Sequence, residues 1–202
     1  MTPIYKVWLM KYQQAWYDLG KPKQDDLFNK NAESLTQVGC KLLLGAASIW
    51  ADEKWTAWGI EEYPDLEAVM KHAHILNDLQ WPRYIKSRSI LSTRMWPETQ
   101  VIIPKAPLYR LVFFKMNESW YHLSDSERAQ WDEKNEQAYN QTGVQMVLMG
   151  DSSWCNEESS FWLLETVPSL EAIQMHTLQL YEQGWYQFAS ATSLLGVKWP
   201  PE

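Results

Sequence analysis

The chain has 202 residues, 46% hydrophobic and 21% charged, with a net charge of −7, enough to bury a sizeable core as one large domain or two small ones. The acidic balance and the absence of a basic stripe argue against nucleic acid as a partner, and no Lys/Arg run flanks an apolar segment as an anionic membrane surface would require. Cys40 and Cys155 belong to no C-x-x-C or Cys/His cluster, so they read as free thiols of a reducing cytoplasm, and no metal site is expected.

The opening stretch, "MTPIYKVWLMKYQQAW", has too short an apolar run for a signal peptide or membrane span. Residues 4–12, "IYKVWLMKY", are apolar and aromatic on both faces and predict a strand covered on two sides. A helix follows, with Leu27, Leu35 and Val38 at helical spacing, and Gly39 is placed to stop it, because a residue without Cβ takes the left-handed C′ conformation cheaply. "CKLLLGAAS" and "TAWGIEE" predict two further strands joined through "WADEK". After Pro64 a second helix is expected, with Asp65 as its N-cap and Leu66, Val69, Ala73 and Leu76 as its buried stripe. "RYIKSRSIL" predicts a last strand.

The same order then recurs. Shifted by 104 residues, positions 3–92 align without a gap on 107–196, and 25 of those 90 pairs are identical. They include Tyr5/Tyr109, Trp16/Trp120, Asn31/Asn135, Gly39/Gly143, Trp58/Trp162, Glu61/Glu165, Pro64/Pro168, His72/His176 and Trp81/Trp185. Two copies of about 90 residues are a tandem duplication and not a solenoid. In the second copy "SDSE" offers a capping box from Ser124 and Glu127, with Trp131, Ala138 and Tyr139 as the apolar stripe. Gly143 is the expected stop, Ser169 the N-cap of the following helix, and Leu170, Ile173, Thr177 and Leu180 its buried stripe. Residues 1–93 and 105–202 are thus expected as repeats. The stretch 94–104 is expected as an extended linker carrying Pro97 and Pro104, with "QVII" able to add a short edge strand.

Strand, helix, strand, strand, helix, strand is the split-βαβ, ferredoxin-like unit. Its sheet carries both helices on one face and leaves the other bare. The expected fold class is therefore α+β, with two ferredoxin-like units packed sheet to sheet as one α+β barrel, each covering the other's apolar face.

This pattern resembles the dimeric α+β barrel superfamily. The second copy, "SWYHLSDSER…TGVQMVLMGDSSW…FWLLETVPSLEAI…GWYQF", resembles small darcynin-type proteins and neighbouring domains without an assigned role. The superfamily includes cofactor-free monooxygenases, haem-degrading monooxygenases, chlorite dismutase-like and dye-decolourising peroxidases, and muconolactone isomerases. The resemblance therefore implies a fold and leaves the chemistry open.

Candidate site residues follow from paired and unpaired positions. Chlorite dismutase-like proteins place an axial haem His on a helix of the C-terminal half. The resemblance makes His176 the haem candidate, set against a structural role for both His72 and His176 at the edge of the apolar stripe. His74, two residues from His72, points away and cannot chelate with it. Lys11 with Glu61, and Lys115 with Glu165, are expected to form ion pairs, on the expectation that the first and third strands lie parallel. Trp16, Tyr17, Trp58, Trp120, Tyr121 and Trp162 form aromatic clusters that either line a cavity for a flat apolar ligand or fill the core. Among unpaired positions, Tyr84, Lys86 and Arg88 suggest a positive, aromatic pocket, and His122 has no mate. No nucleotide, zincin or hydrolase motif occurs.

The leading functional expectation is a cytoplasmic binder of a small aromatic or apolar molecule, with oxygenase- or isomerase-like chemistry in the barrel. The alternative is a non-enzymatic structural or stress-associated protein. A haem protein through His176 is the weaker alternative, no cofactor otherwise being expected. The chain is expected as a monomeric pseudo-dimer or as a homodimer.

Overall fold

The computed structural model describes residues 3–97 and 100–200. The chain divides into two compact units, one of residues 1–93 with 198–202, the other of residues 94–197. In the first unit β1 (Ile4–Tyr12) leads through a short helical turn, α1 (Gln14–Tyr17), to α2 (Lys21–Gln37). Then come β2 (Lys41–Ala47), β3 (Ala57–Tyr63), α3 (Leu66–Asp78), the turn α4 (Trp81–Tyr84) and β4 (Ile85–Trp96). The second unit repeats this as β5 (Leu108–Met116), α5 (Glu118–Tyr121), α6 (Asp125–Thr142), β6 (Gln145–Asp151), β7 (Phe161–Val167) and α7 (Leu170–Glu182). A 3₁₀ turn at Trp185–Gln187 leads into β8 (Ala189–Lys198). This is the α+β class, with one ferredoxin-like unit per repeat.

The strand orders are β4-β1-β3-β2 and β8-β5-β7-β6, antiparallel throughout. The expectation that the first and third strands run parallel is thereby corrected: β1 pairs with β3 antiparallel, with Lys6 opposite Glu61. Even the irregularities are duplicated, since β2 and β6 shift register at Leu42/Leu44 and at Met146/Leu148.

The local signals act where the residues place them. The Ser124 hydroxyl accepts from the Glu127 N–H while Glu127 reaches back to the Ser124 N–H, and Asp65 and Ser169 cap α3 and α7 by accepting from Ala68 and Ala172. Gly39 and Gly143 both take φ +71°, a region costly for residues with a Cβ.

Two expectations need correction. β4 extends to Trp96 and so takes in the first residues of the expected linker, whereas Gln100–Ile103 form no strand. The buried stripe of the second helices is also rotated from its expected place. Leu66 and Leu170 are each 46% exposed, while Val69 with His72, and Ile173 with His176, are buried. The histidines are part of the packed face and do not border it.

Near the C-terminus, Trp199 returns to the first unit. Its N–H donates to the Gly45 carbonyl at 2.8 Å, and its ring lies 5.7 Å from that of Phe28.

Candidate functional site

Each unit buries an acidic residue on its third strand. In the first, Lys6 Nζ lies 2.8 Å from Glu61 Oε2; in the second, Arg110 Nη1 lies 3.2 Å from Glu165 Oε2. The antiparallel register sets these partners directly opposite one another. The expected partners Lys11 and Lys115 sit five residues further along, beyond that pairing. Their ammonium groups donate instead to the carbonyls of Glu53 and Glu157. Buried charges call for a partner at hydrogen-bond distance, and position 6 or 110 supplies it.

A tyrosine completes each network from a different element. In the first unit Tyr63, on β3, donates to Glu61 and lies 2.6 Å from His72 Nδ1. In the second unit position 167 is Val, and Tyr139 from α6 donates to Glu165 Oε1 at 2.7 Å. Burial, reinforced by the neighbouring carboxylate, raises the pKa of both phenols.

The paired histidines differ in the same way. His72 has a partner at both ring nitrogens, Tyr63 at Nδ1 and Asn31 Oδ1 at 3.2 Å from Nε2. Burial, then the Lys6 charge, lowers its pKa to about 4, so it is neutral near pH 7. His176 is fully buried, and burial lowers its pKa as well. Its Nδ1 faces Thr142 Oγ1 at 3.4 Å. Its Nε2 has no hydrogen-bond partner, and neither has the buried Asn135 Oδ1.

Both residues border a cavity of about 740 Å³ formed within residues 95–191, although neither unpartnered atom has surface open to it. Val112 and Phe114 of β5, Met149 of β6 and Phe161 and Leu163 of β7 form its sheet side. Asp132, Asn135, Glu136 and Tyr139 of α6 and His176 and Leu180 of α7 form its helical side, and Trp120, Tyr121, Trp185 and Tyr186 lie along it. Its size and its mix of apolar wall with a few polar groups are those of small-molecule sites.

The corresponding space in the first unit is packed. Trp8, aligned with Val112, lies so close to Gly59 that a Cβ there would come within 2.4 Å of its ring; the residue aligned with Gly59 is Leu163. Phe28, aligned with Asp132, packs edge-on against Trp16 and Trp81, and Met10, Tyr12, Leu76 and Trp199 join the same cluster. Phe28, Trp8 and Trp199 together fill what Asp132, Val112 and Met149 leave open.

Of the sequence candidates, Trp120, Tyr121, Glu165 and His176 meet at this cavity. Trp162 and Trp58 are fully buried in their sheets, and Trp16 is core; the Trp58 indole N–H has no partner. Tyr17 is exposed. Lys115 and His122 stay outside, the latter exposed beside Glu118 at 3.6 Å. Tyr84 lies in α4, beneath the Arg83 guanidinium, Lys86 is exposed and Arg88 half-buried on β4. None of these three lines the cavity. Sequence reasoning missed Asn135, Asp132 and Tyr139 as lining residues. The signal for Asp132 was available in the alignment of the two copies, where a carboxylate replaces Phe28.

Among the described residues, no group of three His, Cys, Asp or Glu side chains gathers as a metal site, and no helix is long and apolar enough to cross a membrane.

No protein-family model matches this chain, and no curated protein matches it by sequence. Solved structures do match by fold. A mutant chlorite dismutase from Candidatus Nitrospira defluvii superposes with a TM-score of 0.82 at 12% identity, covering 99% of this chain and 93% of that one. A putative chlorite dismutase gives 0.79 at 16% identity over 98% and 95%. A haem-binding protein from Thermus thermophilus gives 0.76 at 11% identity over 98% and 91%. The fold is that of chlorite dismutase-like proteins.

Proposed function

We propose that the second unit binds a flat, largely apolar small molecule in its cavity, and that the first unit is its filled, structural counterpart. The observation that carries this is the 740 Å³ space itself, walled by apolar and aromatic side chains with a few polar groups among them. In the first unit the aligned residues Asn31 and His72 lie 3.2 Å apart, within a core that leaves no such space. The aromatic residues Phe114, Trp120, Phe161 and Trp185 offer faces to a planar ring.

Haem is the second reading, and it is better supported than the sequence alone allowed. A neutral imidazole with a free Nε2 is the protein ligand that haem iron commonly takes, and the likeness to chlorite dismutases and to a haem-binding protein points the same way. The apolar wall fits such a group, whereas the imidazole, 0% exposed, would have to move to reach it. The polar residues fit less well. Among the described residues Arg110 is the one cation on the wall, and it is engaged by Glu165, which leaves Asp132 and Glu136 facing a dianionic cofactor. In that reading His176 would hold the iron, and bound haem would supply redox chemistry that side chains lack.

Native mass spectrometry of protein purified without denaturant, followed by haemin titration, tests both readings. A co-purifying organic molecule of a few hundred daltons supports the first. A Soret band that appears with haemin and is absent in His176→Ala supports the second. Apo protein that takes up neither haemin nor any of a panel of planar aromatics removes the binding function.

A further inference from the structure

The charges around the cavity are one-sided. Four charged side chains line it: Arg110, Asp132, Glu136 and Glu165. Arg110 and Glu165 are buried and neutralise each other across 3.2 Å. That leaves Asp132 and Glu136, one turn apart on α6. Both are exposed as well as part of the wall, so their carboxylates are open to a bound molecule. The cations nearest to them in the chain are engaged elsewhere. Arg128, one turn before Asp132, reaches Asp125 and the Tyr121 carbonyl, and Lys134 lies over the Trp131 ring at 4.3 Å. Lys115, between the lining residues Phe114 and Met116, donates to the Glu157 carbonyl. The aligned positions of the first unit hold Phe28 and Ala32, so the shared fold does not call for a carboxylate at either place.

The rest of the wall suits a cation as well. Trp120, Tyr121, Trp185 and Tyr186 join Phe114 and Phe161 along the space, and the faces of such rings attract a positive charge placed over them. A cleft lined by one sign of charge concentrates ligands of the other. We infer that the cavity takes an organic cation, a flat apolar frame carrying a protonated amine or a quaternary ammonium, with Asp132 and Glu136 as its counter-charges. This rests on the small-molecule reading above and goes beyond it by assigning the ligand's charge. Hydrogen-bond donors and acceptors both occur on the wall and do not discriminate between ligands; the uncompensated charge does. Because Asp132 and Glu136 are exposed, water and salt screen them, so the preference is about tenfold and weakens with ionic strength.

The test is isothermal titration of the full chain at low ionic strength with three probes on one naphthalene frame: 1-naphthylmethylammonium, 1-naphthylmethanol and 1-naphthoate. The first two both donate a hydrogen bond, so the difference between them reads charge. The expected result is ammonium binding about tenfold tighter than the alcohol, with naphthoate weakest. That preference should shrink several-fold when salt is raised to about 0.5 M. In the double variant Asp132→Asn/Glu136→Gln it should fall to within about twofold. If the double variant does not fold, the salt dependence of the wild-type preference decides instead. Equal binding of ammonium and alcohol, naphthoate binding tightest, or a preference that survives salt or the double variant overturns the charge assignment and leaves the cavity reading standing. Binding of none of the three overturns both.

Discussion

Trp16 and Trp120 occupy matched positions in the two repeats, yet one is locked in a core and the other borders a cavity. Trp16 is held by Tyr12, Phe28 and, one ring further on, Trp81 and Trp199. Trp120 meets Trp185 and Phe188 edge-on, but the residue facing the space is Asp132, which cannot fill it. The buried polar groups differ in parallel. Lys6, Glu61, Tyr63, His72 and Asn31 form one closed chain of contacts in the first unit. In the second, the tyrosine has moved from strand to helix, and His176 Nε2 and Asn135 Oδ1 are buried without partners beside the cavity. The two copies share a backbone down to its register shifts and differ in a few side chains that pack the space in one and leave it open in the other.

The comparison can be broken most forcefully at the ion pairs. Glu61→Ala leaves Lys6 buried without its counter-charge and Tyr63 without its acceptor, and should cost about 3–5 kcal/mol in urea unfolding. A loss under about 1 kcal/mol would mean that the network contributes little to the first unit's stability. The filled core is the next target. Phe28→Ala removes the ring between Trp16, Trp81 and Trp199 and should cost about 3 kcal/mol. The reverse exchange, Asp132→Phe, should leave stability unchanged or raised and abolish ligand binding. If Asp132→Phe binds as wild type does, the cavity assignment fails.

Acid separates the histidines from ordinary surface groups. Burial holds His72 at a pKa of about 4, below the value of about 6.5 in an unfolded chain. Between those values the unfolded state binds the proton and the folded state does not, so stability is full above pH 6.5 and falls as pH drops toward 4. The His72 side is 1% exposed, so solvent screens it little. It contributes a fall of about 2–3 kcal/mol over that window, and His176, lowered in the same direction, adds to it. Unfolding free energies measured across that window and up to neutral pH should show this slope, and His72→Asn should flatten it. The smallest effect tests what the two units share. Gly39→Ala and Gly143→Ala force a Cβ onto the same φ of +71° and should each cost about 1 kcal/mol. A large difference between the two would show that the scaffold has diverged along with the site.

The duplication made the architecture readable. Each cap, stop and strand was written twice, so Ser124, Ser169, Asp65 and the two glycines could be placed from the residues alone. Strand direction was harder. Nothing in "IYKVWLMKY" and "TAWGIEE" distinguishes parallel from antiparallel, and that error misassigned the partners of Glu61 and Glu165 by five residues. The site was legible only in part. His176 and Trp120 stood out as shared residues, but the cavity depends on what is not shared: Asp132 for Phe28, Leu163 for Gly59, Val112 for Trp8. Volume differences of that kind carry no motif. Trp199 lies outside the aligned repeat altogether, so its place beside Phe28 could not be inferred from periodicity.

A crystal structure determined under xenon pressure tests the asymmetry most directly, because xenon enters apolar space regardless of its polar decoration. Xenon should appear in the second unit beside Val112, Phe114 and Leu163, with none near Phe28 in the first. Xenon beside Trp16 and Phe28, or in neither unit, would contradict the division into a filled copy and an open one.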